Sequence, residues 1–368
     1  MANLLAETPD LTGSSIYAAA AAGDVAAIRS HLAQDASAAN TVGGPRDWAP
    51  LMYVAYSRVP NAKGDAVGAT RLLLESGADP RYYIDGSQGW GGWRWTALTG
   101  AIGEGESGDV QQSPHPQARE IAIMLLDAGA DPNDSQGLYN CHFTPGTEWL
   151  ELLLSCGLNA EASANPEDPL QETTLDYQLA AAVRTGYTDC VKLLLEHGAN
   201  ALGRDDRYTN RTYAENAVVN GYGDTLELLV EHGAERPELT VADRFRFAVV
   251  AEDEAEARRL LSEDESVIDQ PALMVGLASR DRQPAAKLFL ELGADPNRLN
   301  ANGRGPIHEA AWSGHREMID MLPDHGARLD VRSDAHGGTA VGYANHAGRF
   351  ELRNYLLSRS NDVQDLVS

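Results

Sequence analysis

Cysteine is scarce in this 368-residue sequence. The three cysteines, Cys141, Cys156 and Cys190, are an odd number with no metal-binding spacing. We therefore expect each to be a small buried hydrophobic residue in a reducing compartment. No apolar run approaches the roughly 18 residues that span a bilayer, and the N-terminus lacks a basic region before an apolar core. The sequence thus predicts a cytoplasmic protein that has no membrane contact.

Basic residues are also in short supply. The chain has 29 Lys and Arg against 54 Asp and Glu, which gives a net charge of −25. A field of this sign repels phosphate groups, which argues against nucleic acid and anionic membranes as partners. A protein partner with a basic patch is compatible with it, and so is a cationic or neutral small molecule. Acidity that only keeps the protein soluble explains the charge equally well.

Recognisable catalytic motifs are missing. The only glycine-rich match, Gly103–Gly108, follows a helical stretch instead of a strand, and its two glutamates would repel a phosphate. His308 is followed by Glu309, but the next histidine is His315, seven residues on instead of the four that a zinc-protease helix needs. We predict no catalytic residue, no cofactor site and no metal site from these patterns.

What the sequence does contain is a repeated helix end. Leu72–Pro80 reads LLLESGADP, and similar segments occur at Met124–Asn133, Leu152–Ala160, Leu193–Asn200, Leu228–Glu235, Leu288–Asn297 and Met321–Asp330. In each, an apolar run of helical character meets a glycine, which is typical of a helix that ends at a left-handed glycine. The predicted terminators are Gly77, Gly129, Gly157, Gly198, Gly233, Gly293 and Gly326. Asp264 stands in the glycine's place in a degenerate copy at Arg258–Asp269.

The segment Gly303–Asp330, which begins GRGPIHEAAWSGH, resembles the ankyrin repeat pattern Gly-x-Thr-Pro-Leu-His-x-Ala-Ala-x-x-Gly-His. Gly305 replaces the usual threonine, and His308 matches the family's structural histidine. The resemblance implies an all-α fold, a solenoid of helix–loop–helix units joined by finger loops. It covers almost the whole chain, which we predict to be a single ankyrin-repeat domain, residues 1–368. Its ten units are expected at roughly 14–40, 49–80, 96–134, 136–160, 174–201, 211–235, 241–269, 271–297, 303–330 and 339–360.

Two insertions break the repeat in the N-terminal third, at Arg81–Trp95 and at Gly103–Gln117. The first falls in a finger loop and is rich in aromatic residues. Such residues either form a local core or make a recognition surface. The mixture with charged and polar residues favours binding. The binding residues predicted in this loop are Tyr82, Tyr83, Asp85, Trp90, Trp93, Arg94 and Trp95.

Further binding residues follow from the expected concave face, where an ankyrin array places its fingers and first helices. In the N-terminal third and the unit that follows, the candidates are Trp48, Tyr53, Tyr56, Glu104 and His142. Matching the later units to the family pattern adds Arg184, Tyr208, Arg211, Trp312 and His346. His308, by contrast, is expected to be a satisfied scaffold residue.

The resemblance implies a non-catalytic scaffold that binds a protein partner with its concave face and finger loops. The alternative is a small-molecule-binding protein or enzyme whose pocket is formed by residues 81–95 and 103–117. An open groove with spread aromatic side chains would indicate the scaffold. A closed pocket of a few hundred cubic ångströms near the fingers would indicate the alternative.

Overall fold

The computed structural model describes residues 9–58, 64–85, 94–103, 115–143, 145–159, 172–334 and 336–359. Its contacts divide the chain into two compact units. The first comprises Met1–Ala182 and Asp189–Asn200, and the second comprises Val183–Thr188 and Ala201–Ser368. The described residues are mainly helical, with short strands at two turns, and the predicted all-α ankyrin-type class is confirmed.

The first unit contains four complete helix pairs among its described residues. They are α1 (Ile16–Ala22) with α2 (Val25–Gln34), α3 (Pro50–Tyr56) with α4 (Ala66–Glu75), α5 (Ala97–Ile102) with α6 (Ala118–Asp127), and α7 (Ser135–Cys141) with α8 (Glu148–Ser155). A hairpin of β1 (Tyr83–Asp85) and β2 (Arg94–Thr96) precedes α5. The residues of α9 (Thr174–Thr185) and α10 (Thr188–Glu196) are shared between the two units.

The second unit continues the same alternation. Its helices are α11 (Tyr213–Asn220), α12 (Gly223–Glu231), α13 (Val241–Val250), α14 (Glu254–Glu263), α15 (Pro271–Ser279), α16 (Gln283–Glu291), α17 (Pro306–Ser313), α18 (Arg316–Asp324), α19 (Ala340–His346) and α20 (Phe350–Arg359). A short hairpin of β3 (Arg204–Asp205) and β4 (Arg211–Thr212) leads into α11.

The predicted glycine terminators are confirmed. All seven have a positive φ, between 86° at Gly77 and 107° at Gly293, and an added Cβ would meet nothing within 4 Å at any of them. The residue after each glycine donates its N–H to a carbonyl in the last helical turn, as from Ala78 to Leu73 at 2.9 Å. This geometry satisfies carbonyl groups that the helix itself leaves unpaired.

A glycine with positive φ also ends the first helix of several helix pairs. Five glycines at the turn between the two helices of a pair have positive φ: Gly23, Gly186, Gly221, Gly314 and Gly348. Glu252 and Asp281 take this place in two later pairs, with φ of 60° and 52°. The aspartate that follows the first of these turns caps the next helix: Asp24 accepts from the N–H of Ala27 at 3.0 Å.

Asp264 ends its helix in a different way from the glycines. It is extended, with φ of −147°, and its side chain accepts from the N–H of Ser266 at 2.9 Å to start a 3₁₀ turn over Glu265–Ile268. Asp35 has the same conformation and the same bond, to Ser37. The chain therefore uses two kinds of helix end, and only one of them is visible as a glycine.

The core lies between the helix pairs. In the first unit α1 packs on α3, and α3 on α5; in the second, α15 packs on α17, and α17 on α19. Alanines such as Ala19 and Ala310 are fully buried there, since small residues let the first helices approach closely. The second helices bury leucines such as Leu73 and Leu322, each worth roughly 2 kcal/mol of burial.

Asparagine side chains join neighbouring helix ends within each unit. Asn40 donates to the carbonyl of Gly77 at 2.7 Å and accepts from the N–H of Asp79 at 2.7 Å. Asn297 makes the same pair of bonds to Gly326 and Arg328, at 2.9 Å each. One asparagine side chain thus forms hydrogen bonds with two backbone groups of the next repeat.

The cysteine prediction holds for two of three residues. Cys141 and Cys190 are buried, but Cys156 is exposed at the end of α8, where the residue before the terminal glycine faces solvent. Across the described parts of the chain, every helix is too short or too polar to cross a bilayer.

Candidate functional site

The finger hairpin between the second and third helix pairs presents exposed aromatic rings. Its register pairs Ile84 with Trp95 and Asp85 with Arg94. Trp95 is 39% exposed and Tyr83 is 46% exposed. The guanidinium carbon of Arg94 lies 4.5 Å from the centroid of the Tyr83 ring. The hairpin therefore holds two rings and one cation in a defined arrangement at the surface.

Trp95 is the outer end of a row of rings in the first unit. The centroids of Trp95 and Tyr56 are 6.5 Å apart with nearly parallel planes, at 16°, and Tyr56 lies 5.2 Å from Trp48. The row continues from Trp48 to Tyr53 at 5.7 Å and from Tyr53 to Tyr17 at 5.5 Å. Trp48 and Tyr53 are each only 9% exposed. The inner rings thus form a local core, and they support an outer ring that faces solvent.

Hydrogen bonds fix the inner part of the row. The hydroxyl of Tyr53 donates to the carbonyl of Gly43 and accepts from the N–H of Arg46, both at 2.9 Å. Arg46 in turn lies over the Trp48 ring, at 4.9 Å from its centroid. Tyr82 is half-buried, and burial raises the pKa of its hydroxyl. Tyr53 and Trp48 therefore shape the preceding finger turn.

A buried polar cluster lies under this surface. Asp134 accepts from the hydroxyls of Thr96 and Thr99, the latter at 2.9 Å, and from two backbone N–H groups at the start of α7. Burial raises the pKa of the Asp134 carboxyl, and the hydrogen bonds oppose that rise. Arg58 donates to the carbonyl of Gly100 at 2.8 Å. These groups connect α3, α5 and α7, and their hydrogen bonds stabilise the fold.

His115 belongs to the same region and is 7% exposed. Its Nδ1 accepts from the N–H of Gln117 at 3.0 Å. Burial and the nearby Arg58 charge lower the pKa of His115 to about 4, while Glu120 opposes them. The imidazole is therefore neutral at physiological pH. Within the described residues, no group of three or more His, Cys, Asp and Glu side chains could hold a metal ion.

Several of the predicted residues lie outside the described part of the chain. They are Trp90, Trp93 and Glu104, and most of the insertions 81–95 and 103–117 is outside it as well. The alternative of a pocket built from those insertions stays a prediction. His142 is described: it is half-buried, with its ring centroid 4.7 Å from that of Tyr177 and 5.6 Å from that of Tyr139.

In the second unit, Arg184 and Tyr208 come together at the β3–β4 finger. Arg184 forms a 3.0 Å ion pair with Asp205, whose side chain is buried. The guanidinium carbon of Arg184 also lies 4.2 Å from the centroid of Tyr208, which is 59% exposed. Arg211 is exposed on β4. The ion pair therefore orients a cation whose other face supports an exposed ring.

Trp312 and His346 lie next to each other on consecutive first helices. Their rings stack with centroids 5.6 Å apart at 29°, and Tyr343 meets Trp312 edge-on at 6.3 Å. Trp312 is 42% exposed. One turn earlier on α17, Glu309 is paired with Arg304 at 2.7 Å, and burial raises the pKa of the Glu309 carboxyl. This surface is a second exposed aromatic patch, and the ion pair at its edge has a largely buried carboxylate and a partly exposed guanidinium.

Matching each repeat to the pattern identified Trp312 and His346 separately but missed Tyr343 and Glu309. Both are largely buried, and a buried residue at a repeat position has no distinguishing mark in one sequence. The spacing of Glu309 and Trp312, three apart on one helix, was the available signal.

The scaffold role predicted for His308 is confirmed. The side chain is fully buried; Nδ1 accepts from the N–H of Gly305 and Nε2 donates to the carbonyl of Val331, both at 2.9 Å. This pattern defines a neutral imidazole, and burial lowers the pKa of His308. The histidine joins the start of α17 to the chain that precedes α19.

The comparisons with known proteins agree with this architecture. The family model described as ankyrin repeats (3 copies) matches residues 144–239, and the one described as ankyrin repeats (many copies) matches residues 276–323. Cyclin-dependent kinase 4 inhibitor B of Bos taurus is 30% identical over 122 residues, which cover 24% of this chain and 92% of the relative. The chain belongs to the ankyrin repeat family.

Other relatives share only a part with it. The NF-kappa-B inhibitor cactus of Drosophila yakuba is 32% identical over 82 residues, which cover 22% of this chain and 17% of the relative. Ankyrin repeat and SAM domain-containing protein 6 of Mus musculus is 38% identical over 72 residues, 19% of this chain. The matched part spans only 8% of that mouse protein's length.

Proposed function

We propose that this chain is a non-catalytic protein-binding scaffold that contacts its partner with the first helices and finger loops of an ankyrin array. The observation that carries the proposal is the rigid presentation of exposed Trp, Tyr and Arg side chains at finger and first-helix positions. Two of the relatives carry names that describe inhibitors, of cyclin-dependent kinase 4 and of NF-kappa-B. Binding to another protein is the function that accounts for both facts.

The residue types support this role. Trp, Tyr and Arg are over-represented among the residues that dominate binding energy at protein interfaces. Trp95 and Tyr83 are 39% and 46% exposed, so contact area is available on both rings. The buried rings behind Trp95 keep it in place, which lowers the entropy that binding would cost.

The net charge of −25 supports a partner with a basic patch. We further propose that residues 1–368 form one array and that the protein works in the cytoplasm, where its odd cysteine count is suited to a reducing medium. Rim charges mainly affect the association rate, so raising the salt concentration should slow binding more than it speeds release.

Affinity purification from the native source tests the proposal. The full chain and a Tyr83→Ala/Trp95→Ala variant would be compared for captured proteins, with Phe350→Ala as the control for loss of an exposed ring. The expected result is a protein that the parent and Phe350→Ala capture and the double variant releases. Equal capture by all three proteins, with equal thermal stability, would reject the role of this finger.

A further inference from the structure

A cleft on the second unit is lined by two arginines. It lies beside α11, α13 and α15 and is open to solvent. Asn220, Tyr222, Arg280 and Arg282 contribute its polar groups. Aliphatic side chains such as Val219 and Leu273 complete the lining, and Val219 is 42% exposed. The cleft therefore combines hydrogen-bond donors with an apolar wall.

Arg280 is held in position by neutral partners. Its Nη1 donates to the carbonyl of Gly276 at 3.2 Å and its Nη2 donates to the carbonyl of Arg184 at 2.9 Å. The guanidinium carbon lies 5.8 Å from the centroid of the Tyr222 ring. Glu309 is within electrostatic reach, but its carboxylate is already paired with Arg304 at 2.7 Å. The charge of Arg280 is thus oriented and largely uncompensated.

Arg282 is exposed at the edge of the cleft. Among the described residues, the Arg282 guanidinium forms no ion pair and no hydrogen bond. Tyr222 is 8% exposed, and its hydroxyl likewise lacks a hydrogen-bond partner among the described residues. Burial raises the pKa of Tyr222, and the charges of Arg280 and Arg282 oppose that rise, so both cations act on the same hydroxyl.

These groups favour an anionic ligand, although the whole chain carries a net charge of −25. A planar guanidinium binds a carboxylate through paired hydrogen bonds, and a carboxylate would also accept from the tyrosine hydroxyl and the Asn220 amide. The apolar lining, with Val219 at the surface, suits an aliphatic side chain beside that carboxylate.

We propose that this cleft binds an acidic side chain of a partner protein, with an aliphatic residue of the same segment against Val219 and Leu273. The inference rests on the proposed protein-binding function. It adds a contact whose charge is opposite to that of the basic patch expected elsewhere on the partner.

A displayed library of random twelve-residue peptides, selected on the immobilised full chain, is the probe. Two enriched peptides would be synthesised with a fluorophore, together with counterparts in which Asp and Glu become Asn and Gln. Anisotropy would give the Kd for the parent chain, for Arg282→Gln, and for Arg258→Gln. The last is the control, because it removes the same charge from an exposed position on α14.

We expect enrichment of peptides that place Asp or Glu beside an aliphatic residue. Arg282→Gln and the amide counterparts should each weaken binding about tenfold, which is one charge-assisted hydrogen bond, and Arg258→Gln should leave the Kd unchanged. Enrichment without acidic residues, or an equal Kd in Arg282→Gln, overturns the proposal.

The outcome is separable from that of the finger test. If Arg282→Gln leaves the peptide Kd unchanged while Tyr83→Ala/Trp95→Ala still releases its partner, only the cleft assignment is wrong. If the peptides bind as expected and the double variant retains all captured proteins, the binding role of the finger is rejected and the cleft assignment is supported.

Discussion

The α-carbon of Gly186 faces the ring of Tyr222. A methyl group on Gly186 would lie 2.5 Å from the Cζ atom of that ring, and Gly186 has a φ of 76°. Gly198 has a similar left-handed backbone, with φ of 95°, but open space around it. The two glycines therefore separate the effect of backbone conformation from the effect of packing.

Substituting these glycines should give two different losses of stability. Gly198→Ala should lower the free energy of unfolding by about 1–2 kcal/mol, the cost of a left-handed conformation for an L-residue. Gly186→Ala should lose about 1–3 kcal/mol more, because the methyl group overpacks the site. Urea denaturation of the three proteins measures this. Equal losses would show that the Tyr222 ring moves aside without cost.

Glu252 is the residue to replace with glycine. Its φ is 60°, and in five other helix pairs the residue with positive φ at the same turn is a glycine. Glu252→Gly should stabilise the protein by about 0.5–1 kcal/mol, since relief of backbone strain exceeds the added entropy of the unfolded chain.

Asp281→Gly is the matched control for that change. Aspartate tolerates the left-handed region better than glutamate, and the side chain of Asp281 accepts a hydrogen bond from Gln283 at 3.0 Å. A gain at Asp281 as large as at Glu252, read from melting temperatures, would contradict the strain argument.

The buried histidines should make the fold less stable as the pH falls below 6.5. Burial lowers the pKa of His308, and the pKa of His115 falls from 6.5 to about 4. At these two histidines, the unfolded chain then binds more protons than the folded chain below pH 6.5. The stabilisation is complete above pH 6.5 and is lost as the pH falls towards 4.

His115→Asn keeps an acceptor for the Gln117 N–H and removes the titration. The variant should therefore lose less stability than the parent between pH 7 and pH 4.5, as measured by urea unfolding at each pH. His336→Asn, at an exposed position, controls for the loss of an imidazole. A parent curve that is flat over this range would refute the assignment.

Trp312→Ala tests the second aromatic patch. Because Trp312 is 42% exposed and stacks on His346, the change should alter stability by less than about 1 kcal/mol. Affinity for a captured partner should fall about tenfold or more if the patch contains a dominant contact. Phe350→Ala, which removes a 55% exposed ring, is the comparison. Equal affinities in a titration would exclude Trp312 from the interface.

The helix ends were the most predictable part of the protein. Gly77 and Gly326 are recognisable because a left-handed φ is costly for other residues, so a glycine after an apolar helical run predicts that conformation. Glu252 and Asp264 show the limit of that signal. Glu252 adopts the glycine conformation without being glycine, and Asp264 ends a helix with an extended backbone instead.

The candidate site was predictable as a set of residue types and unpredictable as an arrangement. The sequence predicted Trp48, Trp95 and Trp312 as binding residues, but it could not distinguish the buried Trp48 from the other two. Burial depends on which neighbouring rings cover a side chain. Tyr53 and Tyr56 cover Trp48, and only the structure shows those contacts.

The sequence by itself determined the repeating unit of this protein, because helix periodicity and glycine terminators act over a few residues. Only the tertiary structure decided which side chains meet. The stack of Trp312 on His346 and the position of Arg280 over Tyr222 join residues from different helix pairs. Packing between units sets those distances, and no local pattern in the chain records them.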